Sequence, residues 1–437
     1  MMRVFYGWWI VVAAFLNLFY SVGIIYYGFP VFYPSLVDSL GFTRAQLTQG
    51  FLLGFVVAGL LFGLLAGVLI DRLGPRQVIR VGIWCVGLPL ILMGSMTRIW
   101  HYYLLCIAEV FGYVLTGPIP NQVLISNWFR VKRGRAMGIA YLGLGAGGAV
   151  SPLLINSLIQ SFGWRRAFEI IGALILIVLF PVSQWITRSS PRDLDLFPDG
   201  ISPAAAANQT APPGQESIVS LSVAQAVRST NFWLILAGCT LTIGAIGAVT
   251  QHLIIFLKGE GYTVSAASQL LSASLVSSLA GRVVVGYFAD RYSRKNVMAL
   301  FYLILALAIP LLFAARRPAV VWCFVLVYGF AMGADYMLIP LVTADCFGLS
   351  ALGKLLSLII MGYSLGQWFT PWLAGKIFDT YHTYNLSWIL MSAAAAVGAV
   401  LIYAIVPDRR PTENRNAIGT MRDDFATETT SALQKNF

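Results

Sequence analysis

The chain is poor in charge. Lys, Arg, Asp and Glu make up 11% of its 437 residues, against about 25% in an ordinary soluble domain. It is equally poor in the residues that most active sites use. Histidine occurs three times and cysteine five times. Cys85, Cys106, Cys239, Cys323 and Cys346 all fall inside apolar runs without metal-ligand spacing, so they read as reduced packing residues. No phosphate-cradling glycine loop, zinc spacing or nucleophile elbow is present. These gaps argue against an enzyme, against a metal or cofactor requirement and against an ATP-driven machine. Any work the protein does draws on a gradient.

What the chain has is apolar length. Hydrophobic residues are 58% of it, and they come in blocks of about 20 or more, enough to cross a hydrocarbon core of about 30 Å. An outer-membrane barrel would instead show segments of about ten residues with alternating polarity. The fold class is therefore all-α and polytopic, with twelve predicted spans. The first six lie at about Gly7 to Val31, Ala45 to Ile70 (with Thr43 as N-cap), Gln77 to Ser95, Trp100 to Asn127, Ala136 to Gln160 and Ala167 to Thr187. The last six lie at about Asn231 to Leu257, Val264 to Ala289, Val297 to Ala314, Ala319 to Cys346, Leu355 to Phe378 and Leu386 to Val406. The stretch from Trp8 to Val31 is too long for a cleavable signal peptide and lacks a small-residue cleavage site. Residues 1–187 thus form one six-helix bundle and 229–406 a second. Residues 188–228, rich in Pro, Ala, Ser and Gln, form a linker, and 407–437 a polar tail expected to be disordered.

The net charge of +11 does not point to nucleic acid, because the basic residues sit in short loops between spans. Their distribution sets the topology. With the N-terminus inside, fifteen Lys and Arg fall in inner loops before the tail: Arg3, Arg72, Arg76, Arg80, Arg130, Lys132, Arg133, Arg135, Arg188, Arg192, Arg228, Arg291, Arg294, Lys295 and Lys354. Eight fall outside: Arg44, Arg98, Arg165, Arg166, Lys258, Arg316, Arg317 and Lys376. The expectation is a cell-membrane protein with both termini cytoplasmic, acting as a monomer. Trp100, Tyr102, Tyr103 and Tyr381 fit interfacial aromatic belts.

One pattern is written twice. Gly67-x-x-x-Asp71-Arg72-x-Gly74-x-Arg76 follows the second span, and Gly286-x-x-x-Asp290-Arg291-x-x-Arg294-Lys295 follows the eighth, 219 residues later. This pair resembles the loop signature of the major facilitator superfamily, in the loop between helices 2 and 3 of each half. The resemblance implies two six-helix bundles around a central cavity, opened to one side and then the other. Asp71, Arg72, Arg76, Asp290, Arg291 and Arg294 are expected to set topology and to hold the inner faces of the bundles together in one conformation, through helix N-termini and charge pairs.

Two narrower stretches, Tyr6-Gly7-Trp8-Trp9-Ile10-Val11 and Asn127 to Ala140 (NWFRVKRGRAMGIA), resemble monocarboxylate transporters and the related oxalate:formate antiporters. Drug antiporters of the superfamily usually carry Gly-Pro-x-x-Gly-Gly in helix 5, and Gly143-Leu144-Gly145-Ala146-Gly147-Gly148 lacks the proline. Its glycines suit close helix approach.

Within the eighth span stands one cation, Arg282. A charge at that depth costs about 2.5 to 3.5 kcal/mol on insertion scales and faces a cavity or a partner. Its guanidinium can receive a carboxylate through paired hydrogen bonds, and the resemblance implies that role, since monocarboxylate transporters carry a substrate-binding arginine in this helix. They commonly place an aspartate one turn earlier, where this chain has Ser278. The oxalate-type antiporters add a lysine in helix 11, where Tyr363 stands, the nearest lysine being Lys354 at the start of that span. One central cation suits a monocarboxylate. Asp335, beside Tyr336 in the tenth span, is a candidate counter-ion for Arg282 and proton carrier, with Glu109 a second proton candidate. Asn121, behind Pro118 and Pro120, and Tyr336 and Tyr363 are candidate substrate contacts. Gln251 and His252 are weaker ones, read first as interhelical hydrogen bonds. The expectation is proton-coupled symport of a small monocarboxylate such as lactate or pyruvate. The alternatives are an oxalate:formate-type anion antiporter and a non-transporting membrane sensor.

Overall fold

The computed structural model describes residues 5–60, 69–70, 72–129, 132–200, 222–348 and 352–406, apart from the side chains of 58–60, 290, 335–336 and 353. Asp71, Arg130, the segment 201–221 of the linker and the tail 407–437 lie outside the described residues, as do the side chains of Asp290, Asp335 and Tyr336.

The helices follow the apolar blocks. The first six are α1 (Gly7–Leu40), α2 (Arg44–Gly54, running on through Phe55–Leu60), α3 (Pro75–Met93), α4 (Ile99–Trp128), α5 (133–162) and α6 (164–186). The rest are α7 (Thr230–Gly259), α8 (Val264–Arg291), α9 (Arg294–Ala314), α10 (Pro318–Phe347), α11 (Leu352–Tyr381) and α12 (Asn385–Tyr403). Gly163, at φ 77° and ψ 161°, turns α5 into α6 without a loop; that backbone favours glycine. Nine stretches among the described residues are long and apolar enough to cross a membrane, one of them being the α5–α6 pair. With α2 and α11 they accommodate the twelve passes. Helix α1 reaches Leu40, well past the expected end at Val31, because Pro30 and Pro34 fall in short 3₁₀ and helical first turns that tolerate a missing N–H.

Local chemistry starts several helices. Thr43 Oγ1 accepts from Gln46 N at 3.2 Å, and Gln46 Oε1 accepts from Thr43 N at 2.9 Å, a reciprocal capping box. Ser229 caps α7 and Thr263 caps α8 one-sidedly, each hydroxyl oxygen accepting from the backbone N–H of the third residue on.

Both halves pack by one plan. The first helix lies on the fifth and the second on the fourth: α1 on α5 and α2 on α4, then α7 on α11 and α8 on α10. Small residues allow these crossings, since contact between spans depends on close fit rather than on water exclusion. On α1–α5, a Cβ at Gly23 would lie 2.5 Å from the Gly147 backbone. On α8–α10, a Cβ at Gly281 would lie 2.1 Å from Phe330 O, and one at Gly329 2.2 Å from Ser274 O. The halves meet along α1–α7, α2–α11 and α5–α8, and both belong to a single compact unit ending at Ile405.

Gly281→Ala tests the α8–α10 crossing. It is expected to lower thermal stability in detergent, with an overpacking cost of about 1–3 kcal/mol; an unchanged Tm would show that the crossing has slack.

Candidate substrate site

Two helices are broken at matching places. Helix α4 consists of Ile99–Thr116 and Pro118–Trp128, with extended backbone at Gly117 (φ −76°, ψ −152°). Helix α10 consists of Pro318–Met332 and Asp335–Phe347, interrupted at Gly333 and Ala334. Interruptions at equivalent positions of two repeats mark the substrate level in transporters built from repeats. Gly117 lies 11 residues and Ala334 13 residues from the ends of their helices on the side where the chain begins, about 17 and 20 Å at 1.5 Å per residue. Both breaks therefore sit near mid-depth.

Arg282 belongs to the same layer, nine residues or about 14 Å from the end of α8. Its backbone N would lie 2.7 Å from a Cβ on Gly333, so α8 carries Arg282 directly onto the break in α10. Its side chain reaches the other half: a Cβ on Gly145 of α5 would meet Arg282 Nη1 at 3.2 Å and Leu279 Cδ2 at 2.3 Å. Arg282 is partly buried, and among the described residues no carboxylate pairs with it. Its guanidinium thus stands between the bundles, beside a segment where α10 tightens into a turn, Gly333 and Ala334 donating to Phe330 O and Ala331 O at 3.2 Å.

The other candidates divide. Ser278 is buried one turn before Arg282, and its hydroxyl donates to Leu275 O at 2.7 Å. Tyr363 is buried in α11. Asn121 is fully buried, and its amide is occupied by the α4 break. Nδ2 donates to Thr116 O and Gly117 O, both at 2.7 Å, while Oδ1 accepts from Asn17 of α1 at 3.1 Å. Thr116 O would normally receive the N–H of residue 120, which is a proline. Asn121 thus supplies the donor that Pro120 lacks. Glu109 is fully buried in α4, distant in sequence from Arg282 and on the opposite side of the α4 break from Asn121. Gln251 and His252 hold elements together: Tyr33 donates to Gln251 Oε1 at 3.0 Å, and Gln251 Nε2 donates to Tyr26 O at 2.9 Å.

Arg76, Arg291 and Arg294 of the doubled motif make their described contacts within their own halves. Arg76 donates to Ser183 O and Gln184 O at the end of α6. Arg294 pairs with Asp345 of α10. Arg291 lies 4.3 Å from the Tyr287 ring centroid, and Arg72 is exposed.

Bonds between the halves gather at the opposite side, where α1 ends and α2 begins. Asp379 of α11 accepts from the backbone N–H of Arg44 at 3.3 Å and of Ala45 at 3.0 Å, placing a carboxylate on the N-terminus of α2. The Arg44 guanidinium lies 3.5 Å from the Phe378 ring centroid and 5.2 Å from that of Tyr384. Burial pushes the Tyr384 phenol above its ordinary range, against the pull of Arg44. Its hydroxyl donates to His252 Nδ1 at 2.8 Å, because Nε2 is committed as donor to Pro371 O. Lys258 of α7 pairs with Asp38 of α1. Sequence reading missed Asp379 entirely. Nothing in its local pattern says that it meets residues 334 and 335 positions away.

The Major Facilitator Superfamily model matches residues 11–334 and 261–434. The chain belongs to the major facilitator superfamily. Among its relatives, monocarboxylate transporter 13 of Bos taurus is 24% identical over 407 residues, covering 92% of this chain and 89% of that protein. The membrane sensor protein UhpC of Escherichia coli K12 is 22% identical over 361 residues, covering 80% of this chain and 81% of that protein. The crystal structure of the nucleoside transporter NupG shares the fold, with a TM-score of 0.71 at 14% identity over 90% of this chain and 99% of that one. This facilitator is thus a multi-pass membrane protein of a transporter family.

Asn121→Ala is expected to destabilise the facilitator by about 1–3 kcal/mol, the cost of leaving buried carbonyls without donors, seen as a lower Tm. An unchanged Tm would show that the α4 break holds without it.

Proposed function

We propose that this facilitator carries a small monocarboxylate, of the lactate or pyruvate class, across the cell membrane with a proton by alternating access. The observation that carries this reading is the position of Arg282, a lone central cation at the α5–α8 contact with no carboxylate partner among the described residues. A guanidinium presents a fixed fork that matches one carboxylate. Leu279, packed against Gly145 beside it, suits a short apolar body. The likeness to a monocarboxylate transporter supports the substrate class.

With both termini cytoplasmic, as the loop charges suggest, the side held by Asp379, Arg44 and the Lys258–Asp38 pair is the outer one. The bundles are then fastened on the outer side. The carrier works as a monomer, the bundles 1–187 and 229–406 rocking about the ligand. Asp335 opens the second segment of α10, two residues after the Gly333 contact with Arg282. There it neutralises Arg282 in the empty carrier and yields it to the substrate.

The test is uptake of radiolabelled L-lactate by proteoliposomes with an acidic exterior. Concentrative, uncoupler-sensitive uptake is expected, falling at least tenfold in Arg282→Ala and only partly restored in Arg282→Lys, which keeps the charge and loses the fork. Full uptake in Arg282→Ala would overturn the site. Exchange with preloaded oxalate or formate, without proton dependence, would replace symport by antiport. Asp335→Asn is expected to weaken pH-driven uptake; undiminished pH-driven uptake in that variant would remove Asp335 from the proton's path.

A further inference from the structure

Trp368 of α11 is held from both halves. Its backbone is fixed to the second. A Cβ at Gly366 would lie 2.5 Å from Thr240 O, and one at Gly247 2.5 Å from Gln367 O, so α11 lies directly on α7 here. Thr370 donates to Gly244 O in the same stretch. Its ring is fixed to the first half. The indole stacks on Phe51 of α2, with centroids 5.4 Å apart and planes at 14°, and meets Tyr26 of α1 edge-on at 5.5 Å and 88°. Both are favoured aromatic geometries. All three side chains are buried. Phe29 backs Phe51 at 4.7 Å.

In depth, the indole lies between Arg282 and the Asp379 contact. Arg282 is nine residues, about 14 Å, from the inner end of α8. Trp368 is sixteen residues from the inner end of α11, about 24 Å, and Asp379 twenty-seven, about 40 Å. A chain of contacts connects the first two levels. Leu279 and Arg282 Nη1 face Gly145. One turn outward, a Cβ on Gly148 would meet Tyr27 Cδ2 at 2.9 Å and Leu275 Cδ1 at 3.2 Å. The Tyr27 ring meets that of Tyr26 at 4.8 Å and 79°, and Tyr26 meets Trp368. The wall that runs outward from the arginine is therefore largely apolar, and the indole stands at its end. The two levels are separated by about 10 Å of helix rise, room for a short acid and its guanidinium partner.

We propose that Trp368 is the inner leaf of the outer gate and sets the longest acid the carrier accepts. Its seat takes one ring from the second half and two from the first, so it exists only while the halves meet on the outer side. With the indole seated, the apolar wall beyond Arg282 is capped. A short acid on Arg282 lies beneath the cap, and the gate closes over it. A long acid runs its tail along Leu279 and Leu275 into the seat, and the indole stays out. Such an acid is bound and not carried. The length limit rests on the carboxylate reading above; the gate does not.

The experiment reads conformation first without ligand and then with acids of two lengths. Spin labels are placed by Ser161→Cys and Arg317→Cys, exposed positions at the outer ends of α5 and α10. Cys85 and Cys323 are replaced by serine and the buried Cys106, Cys239 and Cys346 are retained. Pulsed electron paramagnetic resonance then gives the distances between labels. Without ligand, the parent is expected to show mainly a short distance and Trp368→Ala at least twice the parent's share of a longer one. Trp368→Phe, which keeps a ring in the seat, is expected to match the parent. A Trp368→Ala variant that matches the parent would overturn the gate. In the parent, lactate is expected to leave the short distance in place. 2-Hydroxyoctanoate, with the same head and a longer tail, is expected to raise the longer one, and in Arg282→Ala neither acid moves it. If 2-hydroxyoctanoate blocks lactate uptake by the parent yet leaves its distances unchanged, the length limit is overturned. If neither acid binds, the carboxylate reading falls and the length limit with it, while the unliganded distances still decide the gate.

Discussion

A bilayer offers no water to a peptide group, and the rest of this architecture depends on that constraint. Every N–H and C=O at membrane depth needs a partner from the protein itself, so the chain crosses as helices. Irregular backbone survives there only where other parts of the protein serve it. The two breaks, at Gly117 in α4 and at Gly333–Ala334 in α10, are such places. At the first, Asn121 gives Thr116 O the donor that Pro120 cannot provide. At the second, Arg282 is set against the break by a backbone-to-backbone crossing of α8 on α10. Polar groups that are costly elsewhere in the membrane are thus gathered into one mid-depth layer between the bundles.

The same economy explains how the halves are fastened. Toward the side where the chain begins, the described arginines of the doubled motif serve their own bundle: Arg76 at the end of α6, Arg294 on Asp345. Toward the other side, bonds cross. Asp379 rests on the first N–H groups of α2, Arg44 covers Phe378 and Tyr384, and Tyr33 and Tyr26 bracket Gln251. These are hydrogen bonds, charge–dipole contacts and ring contacts of modest individual strength. A closure made of many such pieces holds one state yet can be released by small changes at a few of them.

Much of this was legible in the residues. Apolar block lengths yielded the passes, the motif repeated at 219 residues yielded the two halves, and Thr43 with Gln46 marked the start of α2. Arg282 stood out because a cation inside a span has few excuses. Other readings needed geometry. Asn121 reads as a possible ligand contact until its amide is seen to be occupied by Gly117 O and by Thr116 O, which Pro120 leaves without its usual donor. Gln251 and His252 read as generic interhelical bonds, which they are, although only the fold shows that Gln251 joins the two halves and His252 joins α7 to α11 and Tyr384.

The sequence by itself determined that this protein lives in a membrane, that it is built twice over from one plan, and that it keeps one arginine at depth. Those properties are local or periodic: hydropathy, spacing and charge can be read along a single strand of text. Only the tertiary structure decided which glycine faces Arg282, which side of the molecule is fastened, and that Glu109 is buried without a hydrogen-bond partner among the described residues. Each of these depends on residues far apart in the chain meeting at a helix crossing, and a crossing is set by the packing of two surfaces that neither segment contains alone.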